Sequence, residues 1–182
     1  MKGFLRENLL LSLCGLNCGL CTMRLGGHCP GCGGGEGNQS CKLARCSLTQ
    51  GAPAYCIECS RYPCEKYQGF DEFDSFISHR RRDADLKRLE QAGEAAYSAG
   101  QREKIEILQF LLDGFNDGRK KTLFCTAVNL LELPELREIV RKLSDSPALE
   151  ETPLKEKAIR AARLLQQAAE QRGIDLKLRR KK

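Results

Sequence analysis

Residues 14–21 read CGLNCGLC, three cysteines at the spacing C-x3-C-x2-C. A loop of that spacing carries the iron–sulfur cluster in radical enzymes that cleave S-adenosylmethionine. A tight zinc-binding turn with one extra cysteine reads the same way. The pattern continues well past residue 21. From Cys14 to Cys64 the spacing runs C-x3-C-x2-C-x7-C-x2-C-x8-C-x4-C-x9-C-x2-C-x4-C, so ten of the eleven cysteines fall in one stretch and Cys125 stands alone. Three C-x2-C pairs stand out: Cys18/Cys21, Cys29/Cys32 and Cys56/Cys59. Such a turn aims two thiolates at one point, half of a tetrahedral zinc site, and two halves close it. The candidate metal ligands are Cys14, Cys18, Cys21, Cys29, Cys32, Cys41, Cys46, Cys56, Cys59 and Cys64, enough thiols for about two zinc ions at four ligands each. Cys29, Cys32, Cys41 and Cys46 would make a compact site, bracketed by Cys18, Cys21, Cys56 and Cys59. Cys14 and Cys64 would then be alternates or outer thiols, whereas a cluster with bridging ligands would use all ten. Four-cysteine ligation suits an iron–sulfur cluster as well as zinc, and that stays open as the alternative cofactor.

Compartment decides whether thiols meet metal or one another. The start, MKGFLRENLLLSLCGL, places Lys2 and Arg6 before an apolar run, but Glu7 and Asn8 interrupt it and no small-x-small cleavage site follows. No apolar stretch approaches the roughly 18 residues of a membrane span. The expectation is a cytoplasmic chain, away from membranes, with reduced thiols. The odd total and the recurring C-x2-C pairs both favour metal over disulfides. The formal charge is +6, and residues 173–182, GIDLKLRRKK, hold five basic residues and one acid, so most of that charge sits in a basic tail.

The elements that must position these cysteines divide the chain in two. Residues 10–69 are Gly-rich and carry no helical or strand period apart from a short helix near 40–48. A segment this short in apolar residues calls for a staple, which metal supplies. From Phe70 onward the pattern turns helical. A short helix is expected over FDEFDSFISHRRR, then one over DADLKRLEQAGEAAYSAG ending near Gly100. QREKIEILQFLLDGF follows, with Ile105, Leu108, Leu111, Leu112 and Phe115 on one side. RKKTLFCTAVNLLEL carries Phe124, Val128 and Leu131, and PELREIVRKL carries Leu136, Ile139, Val140 and Leu143. After the loop SDSPALEETP, Thr152 is placed to cap and Pro153 to lead a last helix with Leu154, Ala158, Ala161, Leu165 and Ala168 in register. The fold class is mainly α: a small irregular Cys-rich metal module over 10–69, followed by a helical domain of five or six helices over 70–182. A radical-enzyme barrel needs at least about 200 residues of alternating strand and helix. These helices exclude it, so the CGLNCGLC spacing belongs to another kind of site.

CGLNCGLC, then CPGC, the pair Cys41 and Cys46, and YCIECSRYPCEKY resemble a Cys-rich family of bacterial and archaeal proteins, domain of unknown function 3795. The likeness covers about residues 12–68, and KKTLFCTAVNLLEL and GIDLKLRRKK are similar to the longer members. The resemblance implies a metal module that binds zinc through the ten cysteines, leaves out His28, and brings no activity with it.

Other residues have plainer roles. His28 reads as a solvated loop histidine, and His79 as a partner of a helix dipole. The apolar flanks of Cys125 mark a buried structural thiol. Arg80–Arg82 and Arg179–Lys182 are basic runs that could meet phosphate, although a solvated face is the simpler account and few aromatics stand ready to stack on bases. No P-loop, Rossmann fingerprint, nucleophile elbow or acid–base set is present. The expected function is a zinc-finger-like, non-catalytic binding or adaptor protein with a protein partner, or a nucleic-acid partner reached through the tail. The alternative is an iron–sulfur or thiol-based redox sensor.

Overall fold

A computed structural model describes residues 3–35, 41–146 and 151–181. Among them the chain is mainly helical, with seven α-helices and no strand: α1 (Thr22–Leu25), α2 (Lys42–Thr49), α3 (Arg82–Ala92), α4 (Glu94–Phe115), α5 (Lys121–Leu130), α6 (Leu133–Ser144) and α7 (Leu154–Gln171). Five of the seven follow residue 70. Single 3-10 turns form at Cys18–Leu20, Cys56–Glu58 and Glu65–Tyr67. No described helix is long and apolar enough to cross a membrane.

The chain divides into two compact units, Met1–Gln101 with Leu178–Lys182, and Arg102–Lys177. The first unit holds all ten clustered cysteines together with α3 and the start of α4. The boundary expected near residue 69 lies inside it, for a reason visible in the packing. Leu11 and Tyr55 from the irregular stretch share a buried cluster with Leu86 and Leu89 of α3 and Tyr97 of α4. Phe4, Leu13, Cys14, Leu43 and Ala44 form a neighbouring cluster. The Gly-rich stretch therefore has an apolar core of its own, which its composition hid, and it completes that core with helices.

Two sequence expectations fail here. Residues 70–81 form turns and bends, not a helix. Their acids serve as loop acceptors: the Asp74 carboxylate takes the His79 N–H at 2.8 Å, and Asp71 takes Arg82. His79 consequently sits ahead of α3, away from any helix C-terminus. It is 8% exposed, held by the Phe70 carbonyl and Ser75 Oγ and stacked on Phe70 at 5.0 Å. The helix break falls at Gly93, with φ 80° and ψ 156°, a backbone state that a side chain disfavours. Gly100 stays within α4, where a helical glycine costs only about 1 kcal/mol.

In the second unit α7 packs on α5 and α6. Leu108, Leu111, Phe124, Val128, Leu131, Leu136 and Leu165 are fully buried, much as the helical periods predict, while Leu154 is exposed. α6 opens with a reciprocal capping box between Glu132 and Glu135. The cap position of α7 falls on Pro153 rather than Thr152, and part of the expected loop before it, 147–150, lies outside the described residues. Buried Lys104 reaches the carbonyls of Leu131 at 2.7 Å and Asn129 at 3.4 Å at the end of α5, which satisfies groups a helix terminus leaves open.

Among its described residues the tail forms no strand. Arg179 accepts from the Asp74 N–H at 2.8 Å through its carbonyl, and returns a backbone N–H and its guanidinium to the Asp74 carboxylate at 2.9 Å each. Arg180 and Lys181 are exposed.

Candidate functional site

The three C-x2-C pairs are built on two kinds of turn. At Cys18/Cys21 and Cys56/Cys59 the first cysteine starts a 3-10 turn and the second closes it, with N–H to carbonyl bonds of 3.1 Å in both. The closing cysteines have nearly the same backbone, φ −84° and ψ 133° at Cys21, φ −81° and ψ 128° at Cys59. One local conformation is thus used twice. At Cys29/Cys32 the turn runs through Gly31 at φ 93°, where a Cβ would stand 2.5 Å from Arg24 Nη1. Cys41 caps α2, Cys46 lies within it, and Cys64 caps the Glu65–Tyr67 turn.

None of the ten cysteines is in a disulfide, and they sort into two neighbourhoods. Around Cys18 lie Cys32, Cys21 and Cys29, each close enough for its charge to be felt. Around Cys56 lie Cys64, Cys41 and Cys46. Cys46, Cys56, Cys59 and Cys64 line one cavity of ≈ 30 Å³ together with Leu43, Pro53, Tyr62 and Tyr67. Cys14 neighbours Cys32 and Cys18, and Cys32 neighbours Cys41. This sorting differs from the bracketing expected from spacing alone: the first two C-x2-C pairs are electrostatic neighbours of each other, and the third shares a cavity with Cys46 and Cys64.

The sulfurs are neighbours without converging. Among the described residues no three His, Cys, Asp or Glu side chains stand at the spacing that holds a metal ion. The donor chemistry nevertheless suits one. Burial pushes the Cys14 and Cys18 thiols up to about 12 and Cys56 to about 11, and raises Cys32. Against that rise, each has a donor ready for a thiolate: Ser12 for Cys14, the Cys32 backbone N–H for Cys18, the Leu13 N–H and Arg6 for Cys32, and Tyr67 for Cys56. The Tyr67 hydroxyl is fully buried and has no hydrogen-bond partner within bonding geometry. Among its titratable neighbours Cys56 weighs most, and Cys56, were it ionised, would give that hydroxyl an acceptor.

The CGLNCGLC loop is fastened by residues other than its cysteines. Asn17 donates to Asp85 at 2.8 Å on α3 and accepts from the Tyr97 hydroxyl at 3.0 Å on α4. Gly15, at φ 94°, lies so close to α3 that a Cβ would meet the Arg82 carbonyl at 2.5 Å and Leu86 Cγ at 2.7 Å. Arg82 is 4% exposed, forked onto Asp71 at 2.9 and 2.6 Å, laid over Tyr67 at 4.3 Å, and bonded to the Tyr62 hydroxyl at 3.0 Å. The basic run Arg80–Arg82 is thus partly core. Arg6 similarly binds the Leu11 carbonyl at 2.7 Å and Ala54 at 3.1 Å while lying over Tyr55. None of these roles was legible from residue type, except that Asn17 and Gly15 stand inside the cysteine motif. His28 is exposed, and Cys125 is buried in α5 of the second unit.

Comparison of the chain with protein-family models, curated proteins and solved structures finds no match.

Proposed function

We propose that the protein is a zinc-binding, non-catalytic binding or adaptor protein of the cytoplasm, in which four-cysteine sites staple the first unit. The observation that carries this is the cavity that Cys46, Cys56, Cys59 and Cys64 line together with Leu43, Pro53, Tyr62 and Tyr67, which brings a C-x2-C turn and two further thiols to one place. Cys18, Cys21, Cys29 and Cys32 would supply a second ion. Zinc would bring charge neutralisation and cross-linking. Four thiolates leave no open position for substrate or water, so its role is structural. The protein's own groups lower the cost of ionising the thiols, through Ser12, Arg6, Tyr67 and the backbone donors at Cys18 and Cys32. The likeness of the cysteine motifs to the Cys-rich family named above supports the same assignment.

A second reading draws on Cys14 and Cys41, which fall outside both sets of four yet connect them through Cys32. Surplus thiols of this kind suit an iron–sulfur or redox-sensing centre. One experiment separates the two: metal content and visible absorption of protein purified without oxygen. About two colourless zinc ions per chain, at four thiolates each, support the structural module. Iron with inorganic sulfide and a brown colour overturns it in favour of the cluster.

A further inference from the structure

An open groove of ≈ 740 Å³ on the first unit is lined by four cationic side chains, Lys42, Arg45, Arg61 and Lys66. Lys42 and Arg45 lie one turn apart on α2, and Arg61 comes from the loop between Cys59 and Cys64; all three are exposed. Thr49 and Gln50 add neutral hydrogen-bonding groups, and among the described residues the lining contains no carboxylate and no aromatic ring. Of the described acids near Arg61 and Lys66 in sequence, Glu58 accepts the Ala54 N–H at 2.9 Å, and Glu65, 80% exposed, pairs with Lys66 at 3.3 Å from outside the lining. By contrast, the two basic runs obvious in the sequence are partly withdrawn, since Arg82 is buried on Asp71 and Arg179 is tied to Asp74.

We propose that this groove binds the phosphate backbone of duplex nucleic acid without reading bases. Lys, Arg, Thr and Gln are the side chains that contact phosphate oxygens. Single-stranded binding needs rings on which unpaired bases stack, and none lines the groove; Tyr62 and Tyr67 line the thiol cavity instead. An acidic peptide would match the charge, but peptide sites take their affinity from buried apolar anchors, and this lining has no apolar side chain other than Cys46. Cys46 and Lys66 belong to both the groove and the thiol cavity, so the stapled cysteines form one wall of the binding surface. The inference extends the binding-protein reading by naming its partner, and does not depend on which metal the thiols hold.

The test is fluorescence anisotropy of the full chain with a labelled random-sequence duplex of about 20 base pairs, from 50 to 200 mM salt, with metal content measured on the same sample. Four contacts predict a log–log salt slope near −3.6, at about 0.9 per phosphate. Lys42→Gln with Arg61→Gln should flatten the slope by about 2 and weaken binding about eightfold per residue at 0.1 M salt. Arg180→Gln with Lys181→Gln should leave both unchanged. Metal-loaded protein that ignores the duplex at 50 mM salt overturns the groove and leaves the zinc reading standing. Salt-sensitive duplex binding by protein that carries iron, or no metal, supports the groove and sinks the zinc reading. Three further results overturn the proposal: tighter binding of a single strand of equal length, equal competition by polyglutamate, or loss of binding in the tail variant alone. Circular dichroism matching the parent excludes misfolding in the groove variant, and the parent's own salt slope tests the contact number independently of any variant.

Discussion

Replacing Gly15 by alanine tests how the CGLNCGLC loop is held. A Cβ there lies 2.5 Å from the Arg82 carbonyl and 2.7 Å from Leu86 Cγ, at φ 94°. The left-handed backbone alone costs an L-residue about 1–2 kcal/mol, and forcing a methyl into packed surroundings adds about 1–3 kcal/mol. Gly27, at φ 72° with nothing within 4 Å of its Cβ position, bears only the first cost. Gly15→Ala and Gly27→Ala should therefore differ by about 2 kcal/mol. With a urea slope of about 2 kcal/mol/M, that moves the midpoint of Gly15→Ala about 1 M below that of Gly27→Ala. The assay reads one unit cleanly: the chain has no Trp, and all four tyrosines, Tyr55, Tyr62, Tyr67 and Tyr97, lie in the first unit. Tyrosine fluorescence thus follows the cysteine-bearing unit alone. Coincident midpoints for the two variants would show that the loop does not rest on α3 as described.

Asp74 keeps its charge down to about pH 2, because burial, which by itself would raise its pKa, is outweighed by the Arg179 and His79 donors. An aspartate depressed in the fold stabilises it above the ordinary value of 3.8 and loses that contribution as pH falls toward 2. Arg179→Gln should accordingly cost about 1–2 kcal/mol at pH 7, allowing for solvent at the arginine, with the gap to the parent closing between pH 4 and 2 in acid titrations; a gap independent of pH would refute the pairing. Cys59→Ser should remove about one zinc ion per chain and leave the Cys18 set loaded, whereas loss of all metal would mean one shared cluster. Zinc loading of reduced, metal-stripped protein at pH 7 should release about four protons per ion, since Cys18 and Cys56 ionise only near 12 and 11; an indicator dye that registers no release would show the thiols already ionised. Lys104→Met should lower the thermal midpoint read at 222 nm, at a cost of about 1–3 kcal/mol for carbonyls left unbonded, and an unchanged midpoint would mean the lysine does not cap α5.

Long amphipathic helices were the easiest part of this chain to read. α5, α6 and α7 fall where Phe124, Leu136 and Ala158 set the period, because each buries one face. The acidic stretch at 71–74 imitates a helix N-terminus in composition, yet Asp71 and Asp74 bind arginines remote in sequence, and only the tertiary fold supplies those partners. The same limit applies to the cysteines. Their spacing marks turns, but which turns meet is decided by Leu13, Tyr55 and Asn17 docking against helices, information that a C-x2-C count does not contain. The basic runs mislead for a related reason: an arginine that lies on Tyr67 and Asp71 is indistinguishable in sequence from one in solvent.

The contact between Asp74 and Arg179 joins residues 105 positions apart. The chain leaves its first unit at residue 101 and comes back at 178, so the second unit is an insertion within the first. Synthesis runs in the opposite order to what closure requires. On the ribosome the cysteines emerge before the second unit, and Asp74 meets its guanidinium only after that unit has been made. Until residues 178–181 dock, the Asp74 carboxylate has only the His79 N–H and the Ser78 hydroxyl, so the first unit is completed by a segment that follows the second.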